Sequence, residues 1–291
     1  MHVPVLLEEA LGLVNVRPGG IYIDATLGGG GHAEAILRKL TSGRLLGVDR
    51  DPEAVARAVK RLAPFKDNLV VMQGNMAQIN ELHHASGLPP ADGLLADLGI
   101  SSWQMEDPAR GFSFDLSGPL DMRMDPQEPL TAAELVNERP EQDLADLIFQ
   151  FGEERHSRRI ARAIVKARPL RTTAELAQAV QGAIPSGAGL HHLDPATRTF
   201  MALRLAVNHE MENLELFLSQ ALGVLAPQGR VAVISFHSLE DRRVKQAMVR
   251  WREEGRALIL TRKAIRPGDE ETRTNPRSRS AKLRAAEKPA A

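Results

Sequence analysis

Short apolar runs and helix-period stretches alternate through the first hundred residues. Ile21–Ala25 reads IYIDA, a strand-length apolar run that holds an aspartate and leads to four consecutive glycines, Gly28–Gly31. His32–Leu40 has helical spacing, with Ile36, Leu37 and Leu40 on one side. Arg44–Val48 is a second strand pattern, closed by Asp49. Pro52–Leu62 reads as a helix, with Pro52 and Glu53 supplying N-terminal chemistry in its first turn. Leu69–Met72 and Gly93–Asp97 are further strands. Strands and helices alternating at this spacing predict βαβ units and a parallel sheet, hence an α/β fold.

The pattern then changes. From Ser101 to about Ala188 no strand is expected. A Pro- and Gly-rich loop around FSFDLSGPLDMRMDP precedes helical stretches at Thr131–Arg139, Glu141–Phe151, Ser157–Lys166 and Thr173–Gln181. One long helix, about Thr197–Leu225, and a turn at Pro227–Gln228–Gly229 lead into the apolar strand Arg230–Ser235. The expected organisation is an α/β domain in two parts, 1–104 and 197–291, with a helical domain inserted at 105–196.

Composition narrows the function. The 291 residues include no cysteine, so disulfides, thiolate metal sites and thiolate nucleophiles are excluded. The N-terminus lacks the basic flank and apolar core of a signal peptide, and no apolar run approaches the ~18 residues of a membrane span. A cytoplasmic protein with no membrane partner is expected. The net charge is zero, yet residues 242–291 hold 15 Lys/Arg against 6 Asp/Glu. That basic end is either a solvated tail or a surface for a polyanion.

The glycines carry the candidate chemistry. Gly28, Gly30 and Ala33 match the spacing of a nucleotide-binding turn between strand and helix, where a ligand touches backbone. Asp24, Asp49 and Asp97 stand at three strand ends. Asp49 is placed to accept ribose hydroxyls and Asp24 to hold an ammonium group. Three acids oppose the pyrophosphate of NAD but suit S-adenosylmethionine, which has a ribose, an α-ammonium and a sulfonium. Asp51, just before Pro52, is read as a helix cap.

The blocks HVPVLLEEAL, YIDATLGGGGHA, GVDRDPEA, LADLGISS, RGFSF, GPLDMRM, GEERHSRRIARAI, DPATRTFMALRLAVN, ISFHSLEDRRVK and NPRSRSAKLR follow in order. Together they resemble the RsmH (MraW) family of bacterial 16S ribosomal RNA cytosine-N4 methyltransferases. The resemblance implies a class I (Rossmann-like) S-adenosylmethionine-dependent methyltransferase with an inserted all-helical domain. Its substrate would be 16S rRNA in the small ribosomal subunit or an assembly intermediate. It further implies cofactor contacts at Gly30, Gly31, His32, Asp49, Met76, Asp97 and Gln104, with His32 acting through its backbone amide. Met76 stands where the family usually has an aromatic, and Trp103 where it has a proline. Trp103 either reshapes the start of the insertion or stacks on a base.

Asp97 either serves the cofactor or accepts a hydrogen bond from the reacting amine. Ser235 and His237 leave the late strand toward the same crevice; His237 takes the leaving proton or donates to the base. Phe236 stacks on the cytosine or packs in the core. Arg155 and Arg159, with Arg158 and Arg162, share one helix side and could meet phosphates, as could Arg277, Arg279, Lys282 and Arg284. His83–His84 and His191–His192 read as surface pairs, and no metal site is expected. The rival functions are methylation of a protein and a non-catalytic RNA-binding assembly factor. The oligomeric state stays open, a homodimer included.

Overall fold

The computed structural model describes residues 4–184, 194 and 196–290; His191 and His192 lie outside them, as do His2 and Val3 of the first block. The chain forms two compact units, one of Met1–Gly99 and Met211–Ala291, the other of Ile100–Glu210. Chain order begins with α1 (Leu7–Leu13), β1 (Ile21–Asp24), α2 (Gly31–Leu37), β2 (Arg44–Asp49), α3 (Pro52–Arg61), β3 (Leu69–Gln73), α4 (Ile79–Ser86) and β4 (Ala91–Asp97). The second unit holds α5 (Ser102–Glu106), α6 (Ala132–Glu138), α7 (Glu141–Gly152), α8 (Ser157–Ala167), α9 (Thr173–Ala183) and α10 (Ala196–Val207). The chain returns with α11 (Glu210–Gln220), β5 (Leu225–Ser235), α12 (Ser238–Glu253), β6 (Leu258–Ile259), α13 (Asp269–Thr274) and β7 (Lys282–Glu287).

The first unit is built on one sheet of order β3-β2-β1-β4-β5-β7-β6. Strands β1 to β5 pair in parallel, and β7 runs antiparallel to both of its neighbours. The central strands are apolar because helices cover both faces, and Ile23, Leu45, Leu46, Leu94, Val231 and Ile234 are fully buried. From β1 the chain builds outward through β2 to β3, then crosses back to place β4 on the other side of β1. That reversal is the switch point at which open α/β sheets bind ligands, outside the carboxyl ends of the strands. Asp24, Asp49 and Asp97 are the last residues of β1, β2 and β4. Asp51 is the cap that its position before Pro52 predicts, its side chain accepting from the Glu53 amide at 2.9 Å.

Three expectations change. The long helix breaks into α10 and α11 at Asn208–His209, where His209 adopts a left-handed φ of 49°. Because α10 buries Ala196, Phe200 and Leu203 in the helical core, the expected boundaries at 105 and 196 move to Ile100 and Glu210. Residues 227–229 do not separate helix from strand. Gln228, at φ 62°, makes an irregularity within β5 and donates its amide to the Lys288 carbonyl.

The basic end is no tail either. Its last strand, β7, fills the gap between β5 and β6, with Leu283, Ala285 and Ala286 buried. Lys282, expected to meet phosphate, has a partner within the fold. Its Nζ lies 3.1 Å from Asp241, which Arg284 also holds at 2.6 Å. The two cations hold the Asp241 carboxyl below the usual carboxylate range, against the opposing effect of its burial. Its stabilisation is present above the unfolded value and lost as pH falls through the folded one. Asp241→Asn is expected to cost about 1.5–3 kcal/mol at pH 7, as measured by urea unfolding.

The second unit packs α6 to α10 around Leu135, Leu144, Ile148, Ile160, Ile164, Val180 and Leu203. Its loop is pinned by buried Asn208, which donates to the Met122 carbonyl and accepts from the Met124 amide, both at 2.7 Å. The LDMRM and LRLAVN blocks thus meet as loop and clamp.

Candidate active site

The site builds from β1 outward. After Asp24 the chain turns through Thr26 into the glycines, with Gly28 and Gly30 at φ 50° and 78°, a region L side chains enter at a cost. The run has two jobs. A Cβ on Gly30 would press Leu62 of the α3 end at 3.2 Å, and one on Gly31 would meet Pro4 at 2.6 Å, so these two let the backbone pack against neighbouring side chains. A Cβ on Gly29 would meet nothing within 4 Å, so here the missing side chain leaves space. Gly30→Ala is expected to lose about 1–2 kcal/mol of stability by denaturant titration, because it combines left-handed backbone with the Leu62 contact.

The carboxylates are fixed by backbone. Asp24, 1% exposed, accepts from the Thr26 amide at 3.2 Å. Asp49 accepts from the Gly28 amide at 2.7 Å with one oxygen and from the Asp51 amide at 2.9 Å with the other. Thr26 Oγ1 accepts from the Asp97 amide at 2.6 Å, tying β1 to the end of β4. Asp97 Oδ2 lies 3.6 Å from His32 Nδ1, while its Oδ1 is buried and unpartnered. Burial pushes the Asp24 carboxyl up to about 7, opposed by the Thr26 amide and reinforced by Asp49. Burial likewise lifts Asp49 to about 6 against its two amide donors. Asp97 is raised well above the ordinary range by burial, then by the charges of Asp24 and Glu240. Clustered acids that resist ionisation, one of them with an orphaned oxygen, suit a cationic, hydrogen-bond-donating ligand.

The ring of His32 has partners of its own. It is buried in the first turn of α2, and Nε2–H donates to the Val5 carbonyl at 3.1 Å, leaving Nδ1 toward Asp97. Met76 opens a short 3-10 turn after β3 that Asn75 caps at 3.0 Å. Gln104 belongs to the second unit, where its Oε1 accepts from the Ser101 amide and hydroxyl at 2.8 and 2.9 Å, closing the cap of α5. Trp103 lies beneath the Arg110 guanidinium, 5.3 Å from ring centroid to charge.

Two catalytic candidates have structural partners. Ser235 is buried and donates to the Lys282 carbonyl at 3.3 Å, across the β5–β7 pair. His237 caps α12: Nδ1 accepts from the Glu240 amide at 3.4 Å, and Nε2 lies 3.1 Å from Glu240 Oε1. Glu240 was not expected at all. It is buried, accepts from the Phe236 amide at 2.8 Å, and adds its charge to the field at Asp97. The three-residue spacing from His237 to Glu240 is that of a capping box, the one signal that could have revealed it. Phe236 is half-buried against the core. Arg155, Arg158, Arg159 and Arg162 are exposed in the second unit, at and along α8, while Arg277 and Arg279 are exposed in the first, on the 3-10 turn Pro276–Ser280. His83, at the end of α4, faces the Pro89 carbonyl at 2.9 Å.

The profile of the MraW methylase family matches residues 1–289. A ribosomal RNA small subunit methyltransferase H of Syntrophobacter fumaroxidans is 52% identical over 306 aligned positions, covering 99% of this chain and 96% of its own. Its counterpart in Acidobacterium capsulatum is 51% identical over 295 positions, covering 99% and 98%. Among solved structures, an rRNA methylase from Streptococcus thermophilus is similar with a TM-score of 0.47 and 11% identity, covering 99% of each chain. With half its residues shared along nearly its whole length, the chain belongs to the MraW methylase family.

Proposed function

We propose that this chain methylates the N4 amine of a cytidine in the decoding region of 16S rRNA, on the small ribosomal subunit or an assembly intermediate, with S-adenosylmethionine as donor. The observation that carries the reading is the carboxylate cluster at the switch point, Asp24 buried and Asp49 and Asp97 half-buried, with Asp97 Oδ1 left unpartnered. Family membership supports it. A relict binding factor would have no need to keep three such costly acids together.

The residues fit the cofactor. Asp24 would hold the α-ammonium. Each Asp49 oxygen accepts one amide, and a carboxylate has about four lone-pair sites, so two remain for ribose hydroxyls. The open space at Gly29 admits a ligand against the backbone. Met76, a thioether suited to packing on a ring, completes the set on family resemblance. When bound, S-adenosylmethionine supplies a methyl group already activated by its sulfonium.

The protein's part is then to position a weak nucleophile, and positioning can supply roughly 7–11 kcal/mol. Asp97 Oδ1 accepts an N–H from the amine, which restores lone-pair character to nitrogen. Ionised beside the bound sulfonium, Asp97 would take the proton that nitrogen sheds on methylation, its other oxygen facing His32. Asp97 is thus the proposed catalytic residue, while His237 and Ser235 position the strand end. Chemistry favours nitrogen over other acceptors: carbon-5 methylation needs a cysteine adduct, and this chain has no cysteine. Arg155, Arg159, Arg277 and Arg279 remain proposed phosphate contacts. An rRNA substrate also places the chain in the cytoplasm; among the described residues, no helix is long and apolar enough to cross a membrane.

Incubation of partially assembled small subunits with labelled cofactor, followed by nuclease digestion, is expected to release labelled N4-methylcytidine. Label confined to 5-methylcytidine, a 2′-O-methyl nucleoside or ribosomal protein would overturn the reading.

A further inference from the structure

The outer face of α12 leads directly away from the strand-end site. Its cap, His237, follows the carboxyl end of β5, and its inner face buries Leu239, Val244, Met248 and Trp251. On the outer face Arg242, Lys245, Gln246, Val249, Arg250 and Glu253 line an open groove of about 370 Å³. Positions three and four apart share one helix side, so these six form a single track. It rises for about 16 Å at 1.5 Å per residue and begins about one turn beyond the cap.

The charges along it are of two kinds. Neighbouring cations serve the fold: Arg243 pairs with Glu215 at 2.5 Å, while Lys282 and Arg284 share Asp241. Lys245 and Arg250 are exposed and have no acidic partner among the described residues. Three cations line the groove against one acid, Glu253, at its far end. Val249 among them is half-buried and apolar. The cations suit phosphates, and the apolar side chain suits the face of a base or sugar.

We infer that this groove is the track for single-stranded rRNA flanking the target nucleotide, an inference that rests on the rRNA-methylation reading. A base held at the strand ends has its neighbouring phosphates within reach of Arg242 and Lys245, and the strand continues toward Arg250. An acidic protein segment would find the same charges but would not require the track to start at the methylation site.

The test is the double variant Lys245→Ala/Arg250→Ala, both changes lying on an exposed helix face. Binding to partially assembled small subunits is measured over a salt series, with cofactor titration alongside. Cofactor affinity is expected to be unchanged. Affinity for the subunit should fall about tenfold at low salt, and the log–log salt slope should flatten by about 1.4, or 0.7 for each single-strand phosphate contact. Arg250→Lys should keep the parental slope. If the parent binds and methylates the rRNA and the double variant matches it in affinity and slope, this inference fails and the methylation reading stands. If the parent binds no RNA, both fail. If the variant loses affinity only for an acidic ribosomal protein, the track is not for RNA.

Discussion

Asp97→Asn is expected to lower the methyl-transfer rate by about 10²–10⁴-fold, the range typical for loss of a positioned proton acceptor. Asparagine has the same shape but cannot take the proton that nitrogen sheds. Its amide would also present a donor where the amine N–H needs an acceptor. The ligand-free variant should be no less stable than the parent, because burial and the charges of Asp24 and Glu240 already oppose ionisation at this position. Single-turnover rates with saturating cofactor, set beside thermal melts, separate the two effects. A full rate in the variant would remove Asp97 from the chemistry. A rate lost together with fold would reassign it to structure.

Cofactor affinity is expected to rise with pH, by up to about 1,000-fold between pH 5 and pH 8 when both acids must ionise, and then level off. The sign follows from burial. Asp24, lifted to about 7, keeps its proton where the unfolded chain has lost it. The stability contributed by that proton is fully present below the unfolded value of 3.8 and is lost as pH rises through about 7. A cationic ligand needs the carboxylate, so at low pH binding must first expel the proton. Asp49, at about 6, adds a second step at lower pH. Calorimetry in buffers of different ionisation heat should therefore record proton release on binding near pH 6. Asp24→Asn should bind more weakly at pH 8 and lose the step near 7, keeping the one near 6. Affinity that stays flat or falls with rising pH would show that these acids do not meet the cofactor.

How legible each part was depends on how locally it is encoded. Strands β1, β2 and β4 are buried on both faces, so each reads as an apolar run, and each ends in an aspartate that solvent and sheet geometry place together. The cap at Asp51 is local as well. Strand β7 was not legible, because KLRAAE sends Lys282 and Arg284 to one face and Leu283 and Ala285 to the other. Alternation over six residues, with only small apolar partners, looks like a charged tail. The contacts of the His32 ring were not legible for a different reason. Its partners, Val5 and Asp97, come from α1's approach and from β4, contacts that only the closed sheet creates. The cap at His237 is shared with Glu240, whose burial depends on the packing of α12 rather than on any local pattern.

The central claim is a methyl group on one cytosine amine, and the direct measurement is mass analysis of 16S rRNA from cells with and without this protein. The account predicts that rRNA from cells lacking it is one methyl group lighter at a single cytidine of the decoding region, and that supplying the protein restores the mass. Identical rRNA from both cells, or a difference confined to another kind of nucleotide, would contradict it.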